Sequence, residues 1–193
     1  MPASTQASTK ATPQAGASSD GFITTPLPAS RAGKIFQLGM AIGKFQGVII
    51  PTTPTGIRVV HAIFEGRLPP PPIAVLMGFR GVEARPGEVV FEMEPGPQHY
   101  NPIGSVHGGV ALTLLDSAMS CAVHTLLDAG VRYTTLEVKT NFVRAITAGT
   151  GVIRCEGSVV HRGMRVATAE GRIIDEGGKL LAHGTTTCLI IGP

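Results

Sequence analysis

From Val110 to Leu127 the chain reads Val-Ala-Leu-Thr-Leu-Leu-Asp-Ser-Ala-Met-Ser-Cys-Ala-Val-His-Thr-Leu-Leu, with no proline and with apolar residues on almost every side. Such a pattern predicts a long helix buried all round, stopped by Gly130. Its small and polar positions, Gly109, Thr113, Asp116, Ser117, Ser120 and His124, step by three or four residues and so share one stripe. Asp116 stands out in that stripe: aspartate is a poor interior helix former, and a buried carboxylate needs a partner. Strand periods flank the helix. Val89, Phe91 and Met93 alternate within residues 87–94, and Leu136, Val138, Thr140 and Phe142 oppose Thr135, Glu137, Lys139 and Asn141 within 133–143. Further strands are predicted over 151–160, 166–174 and 180–190, joined by the short glycine-containing links 162–165 and 175–179, which favour antiparallel hairpins.

The N-terminal third reads differently. Residues 1–32 are rich in Ser, Thr, Ala, Pro and Gln and are expected to form a disordered tail, since they bury too little to offset ordering entropy. A targeting peptide is the competing reading, weakened by a single basic residue before Arg31 and no apolar h-region. Residues 33–68 form an N-terminal arm and helix: an extended segment over 34–50, then a helix capped by Thr55 with Ile57, Val60, Ile63 and Phe64 along one side and Gly66 at its end. Residues 69–193 form the folded domain, opened by Pro69–Pro72, which start a short helix through Gly78. One strand, a long helix and then four strands in a row fit an α+β architecture, a curved antiparallel sheet wrapped around one central helix.

Composition narrows the function classes. Of the 16 basic and 13 acidic residues, Lys10, Arg31, Lys34 and Lys44 stand against Asp20 within the first 44, which leaves the remainder electrically balanced. That is no nucleic-acid footprint. No uninterrupted apolar run approaches the roughly 18 residues of a membrane span. Cys121, Cys155 and Cys188 are isolated and odd in number, which points to a reducing, cytoplasmic setting without zinc or redox pairing.

Candidate chemistry centres on the helix start. Gly108-Gly109 presents backbone N–H groups at the positive end of the helix dipole, where missing side chains admit a ligand oxygen; a plain tight turn explains the pair equally well. Asp116 lies roughly 13 Å along the axis from that turn, too far for one chain's glycines and carboxylate to act on one bond. If both are catalytic, a symmetric dimer with composite sites follows. Asn101 is a further polar candidate, although Asn-Pro is an ordinary turn. His107, His124, His161 and His183 show no metal-ligand spacing, and neither a nucleophile elbow nor a phosphate-cradling loop occurs.

From Pro69 to Leu189 the chain resembles the hotdog-fold acyl-CoA thioesterases of the PaaI, or phenylacetate-pathway, type. The likeness rests on Leu76-Met-Gly-Phe79, His99-Tyr-Asn-Pro-Ile-Gly-Ser-Val-His-Gly-Gly109, Leu115-Asp116, Thr134-Thr-Leu-Glu-Val-Lys-Thr-Asn-Phe142 and Ala182-His-Gly-Thr-Thr-Thr-Cys188. It implies hydrolysis of acyl-CoA by a homodimer or homotetramer, with coenzyme A as part of the substrate and neither cofactor nor metal. Asp116 would be general base or nucleophile, supplied by the opposite subunit. Asn101 would place water or substrate, His107 would order the loop, and the N–H of Gly108 or Gly109 would polarise the carbonyl. Thr135 would help hold the water, a one-residue shift exchanging it with Thr134. Arg162, Gly163 and Arg165 would lie near the nucleotide half of coenzyme A. A non-catalytic acyl-CoA-binding sensor or scaffold is the rival reading, and a hydratase or dehydratase the third.

Overall fold

The computed structural model describes residues 55–192; the expected tail over 1–32 and the extended segment over 34–50 lie outside them. Helices α1 (Gly56–Phe64) and α2 (Pro72–Met77) precede strands β1 (Phe79–Arg85) and β2 (Glu88–Met93). Then come the long helix α3 (Gly108–His124) and strands β3 (Arg132–Phe142), β4 (Ile153–Arg162), β5 (Val166–Ile174) and β6 (Leu180–Ile191). The strands form one antiparallel sheet in the order β1-β2-β4-β5-β6-β3. Helix α3 packs against all six strands, which is the hotdog arrangement of a curved sheet around a central helix.

The all-round apolar character of α3 has the expected consequence. Leu114, Leu115, Ala118, Met119, Ala122 and Val123 are completely buried. The helix settles so close to the sheet that a Cβ on Gly157 of β4 would lie 2.4 Å from the Ala118 carbonyl carbon, and one on Gly171 of β5 would lie 2.9 Å from the Met119 side chain. Beside these glycines the Cys155 thiol donates to the Leu114 carbonyl oxygen over 3.5 Å.

Three sequence expectations change. The helix stops at His124, short of Gly130, because the Thr125 hydroxyl donates to the Ala122 carbonyl (2.6 Å) and accepts from the Gly87 N–H (2.7 Å), tying the helix end to the β1–β2 turn. Gly130 instead takes φ +80° at the turn leading to β3. A sixth strand, β1, was not anticipated, because its alternation is broken by a bulge between Gly81 and Glu83. Finally, the α1 face is broader than expected: Val59, Val60 and Ala62 are buried while Ile57, Ile63 and Phe64 are half-buried. The Phe64 ring sits edge-on to Phe91 at 5.3 Å and occupies the space a Cβ on Gly81 would need.

The close approach at Gly157 is open to measurement. Gly157→Ala inserts a methyl group against helix backbone, so we expect urea denaturation to show a loss of about 1–3 kcal/mol. Gly149→Ala, where the nearest atom is 3.6 Å away, serves as the tolerant control. Equal losses at the two positions would refute the packing argument.

Candidate active site

The turn before α3 is held by its own side chains. Asn101 accepts through Oδ1 from the N–H groups of Ile103 (3.1 Å) and Ser105 (3.2 Å), and donates through Nδ2 to the Ser105 hydroxyl (3.1 Å). The His107 N–H donates to the His99 carbonyl over 2.8 Å, and its Nδ1 accepts from the Gly109 N–H over 2.9 Å. His107 is thus the N-cap of α3. A cap of this kind needs Nδ1 unprotonated, so neutral His107 carries its proton on Nε2. The Gly109 donor is consumed by this cap. The Gly108 N–H has no partner among the described residues, so of the two glycines it is Gly108 that keeps a free donor at the positive helix end.

A cavity of about 290 Å³ opens beside that donor, lined by Asn101, Ser105, Gly108, Phe142, Arg144 and Leu181 among others. Phe142 packs over the helix start, where a Cβ on Gly108 would fall 3.0 Å from its ring. Alternation groups it with Val138 and Thr140 but gives no sign of this contact; it is 58% exposed. Arg144, which donates to the Leu180 carbonyl, was also missed, because a lone arginine after a strand carries no signal of its own. Asp116 does not line this cavity, in keeping with the eight residues, about 12 Å of helix, that separate it from Gly108.

Asp116 is half-buried and sits midway along α3. The Thr135 hydroxyl donates to its Oδ1 over 2.9 Å, whereas Thr134 is exposed. Strict alternation turns Thr135 away from Val138 and Thr140, and that expectation fails. A bulge between Thr135 and Glu137 shifts the β3–β6 register, pushes Leu136 out to 59% exposure and brings Thr135 into phase with half-buried Val138 and Thr140. Bulges commonly re-aim a side chain in this way.

Below Asp116 on the stripe, Cys121 retains some solvent contact, yet the enclosure of its sulfur pushes the thiol up to about 12. At the helix end, burial pulls His124 below its ordinary value, and its ring lies 5.2 Å from Tyr133. Arg162, Gly163 and Arg165 occupy the β4–β5 hairpin, where the Gly163 N–H donates to the Val166 carbonyl over 2.9 Å. Both arginines are exposed, and neither forms an ion pair with a described residue. Among the described residues no three His, Cys, Asp or Glu side chains converge as a metal site would require. One chain therefore brings together Asn101, His107 and Gly108 at the helix start and pairs Asp116 with Thr135 at mid-helix, while the hairpin arginines form no ion pair with a described residue.

Known proteins are similar to this chain in sequence and fold. The Thioesterase superfamily matches residues 103–182. Acyl-coenzyme A thioesterase 13 of Homo sapiens is 27% identical over 107 residues, covering 55% of this chain and 75% of that protein. A putative thioesterase of Ralstonia eutropha, described as a phenylacetic acid degradation-related protein, superposes with a TM-score of 0.62 at 26% identity, over 67% of this chain and 98% of the other. The PaaI protein of the E. coli phenylacetic acid degradation operon shares the fold, with a TM-score of 0.62 at 22% identity over 71% of this chain and 94% of its own. By fold, motif set and sequence, this chain resembles the hotdog-fold thioesterases of the PaaI type.

Proposed function

We propose that the protein hydrolyses acyl-CoA thioesters to a free acid and coenzyme A. The observation that carries this reading is Asp116, held by the Thr135 hydroxyl of β3, on the same helix whose start keeps the Gly108 N–H free. In the scheme, the thioester carbonyl oxygen accepts from Gly108 N–H, which stabilises the charge that develops there. Asp116 removes a proton from a water as its oxygen adds to the carbonyl carbon. Collapse of the tetrahedral adduct breaks the C–S bond, and the Asp116 proton passes to the departing thiolate. Thr135 keeps Oδ1 engaged so that Oδ2 faces the water, and Asn101 and His107 hold the loop that presents Gly108. Asp116 attacking as nucleophile is the variant of this scheme. No metal or resident cofactor takes part, and Arg162 and Arg165 are offered to the phosphates of coenzyme A beside Gly163.

The two halves of the site are about 12 Å apart on one helix, so each active site takes Asp116 from a second copy. The sheet edges favour the same reading. The β1 edge carries Arg80, Glu83 and Arg85, and His61 of α1 lies within hydrogen-bonding distance of the Ala84 carbonyl (3.0 Å). Charges and cover of this kind blunt an edge. The β3 edge also carries charges, Arg132, Glu137 and Lys139, but no described helix covers it and it presents exposed Leu136, which leaves it open to a second copy. Among the described residues no helix is long and apolar enough to cross a membrane, and we place the enzyme in the cytoplasm on the strength of its unpaired thiols. A pure acyl-CoA sensor is the less favoured reading, because it has no use for a carboxylate oriented by a hydroxyl.

Three measurements test the scheme. Asp116→Asn, folded as judged by circular dichroism, is expected to lose about 10²- to 10⁴-fold in kcat in a thiol-release assay across an acyl-CoA panel; retention of more than about a tenth of kcat sinks the assignment. Thr135→Val removes one hydrogen bond to a charged group, worth about 1.5–3 kcal/mol, so kcat is expected to fall about 10- to 100-fold. Gly108→Pro removes the N–H at a first helical position, where the proline backbone fits although its Cβ presses on the Phe142 ring at 3.0 Å; folded as judged by circular dichroism, this variant alone is expected to be nearly inactive. Mixed and re-equilibrated with Asp116→Asn, it should recover about a quarter of wild-type activity, because half the dimers then hold one intact composite site. A mixture as inactive as its components would show that the sites are not shared.

A further inference from the structure

Along α3, Gly109, Leu112, Thr113, Asp116, Ser117 and Cys121 are left partly uncovered by the chain's own sheet. Their spacing of three and four places them on one stripe. Leu112 is its only large aliphatic member, 36% exposed on a helix whose Leu114, Leu115 and Met119 are fully buried. It is the one large aliphatic side chain that this uncovered stripe offers to a second copy.

Two-fold symmetry says where that partner stands. Resting on the composite-site reading, Gly108 of one copy meets Asp116 of the other, and the symmetry operation requires the reciprocal contact. The axis then passes between the two copies of α3, level with residue 112, midway between residues 108 and 116. Each reaction centre lies about 6 Å from the axis, four residues at 1.5 Å. The nucleotide of coenzyme A is large and charged and must leave toward solvent, which directs the acyl group the other way, into the interface and toward the axis.

We infer that Leu112 lies on the dimer axis, packs against the partner subunit's Leu112, and forms the inner wall shared by the two acyl pockets. It is therefore the residue that limits acyl-chain length. Facing residues on contacting helices approach within disulfide range, with Cα atoms about 4.4–6.8 Å apart. Ser117 shares the stripe but lies five residues from the axis, so its two copies stand about 15 Å apart along the helix direction.

Cysteine cross-linking in the full-length dimer reads this placement directly. Under mild copper–phenanthroline oxidation at pH 8, Leu112→Cys is expected to give a covalent dimer on non-reducing gels, while Ser117→Cys and wild type stay monomeric. Wild type is a sound background because its Cys121 thiol is pushed up to about 12. The wall is read separately with straight-chain acyl-CoAs of increasing length. Leu112→Ala is expected to raise kcat/KM relative to wild type by about 10-fold or more for a chain two carbons beyond the wild-type cutoff, and Leu112→Phe to shorten that cutoff. If the mixed variants complement but Leu112→Cys cross-links no better than Ser117→Cys, the axis is misplaced. Cross-linking together with an unchanged chain-length profile in both Leu112→Ala and Leu112→Phe overturns the specificity role. Failure of the mixed variants to complement overturns the composite site itself, and with it the axis.

Discussion

The structure depends on one burial problem: α3 is apolar on nearly every side, and only a surface that curves around it can remove those sides from water. Leu114, Leu115, Ala118, Met119, Ala122 and Val123 are wholly enclosed, and each strand of the sheet contributes to the enclosure. Gly157 and Gly171 are the local price of that closeness, since side chains there would strike helix backbone or core. A single chain cannot close the sheet completely around the helix. The stripe that remains half-covered is the one that carries Asp116, so the same geometry that buries the core leaves the carboxylate accessible.

The helix start meets a different constraint. Four N–H groups at a helix N-terminus have no partner within the helix, and this chain distributes them unequally. His107 Nδ1 takes the Gly109 N–H, while the Gly108 N–H is left beside a cavity.

Much of this was legible in the sequence, and the failures have physical causes. Composition and three-to-four spacing were enough to find α3 and to single out Asp116, because an acidic residue among buried apolar neighbours is a local contradiction. Helix length alone separated Gly108 from Asp116. By contrast, Gly130 looked like the helix stop because the pairing of Thr125 with Gly87 is a long-range contact with no local signature. Strand β1 was hidden by its bulge and by Gly81, whose role is to admit the Phe64 ring. Phe142 was grouped by alternation with Val138 and Thr140, but its contact with Gly108 at the end of β3 is long-range and left no local signal.

The bulge in β3 joins these threads. Cross-strand partners jump from Thr135–Cys188 to Glu137–Thr187, so one residue, Leu136, is expelled from the ladder. Without that extra residue, side chains two apart would share a face, and Thr135 would lie with Glu137 and Lys139, away from the helix. With it, Thr135 and Val138 both point inward and the hydroxyl reaches Asp116. The expelled Leu136 is displayed on the uncovered edge of the sheet. A single insertion thus couples the orientation of the carboxylate to the display of one apolar side chain at the sheet edge. An edge strand is where such an insertion costs least, because only one neighbour's hydrogen bonding is disturbed.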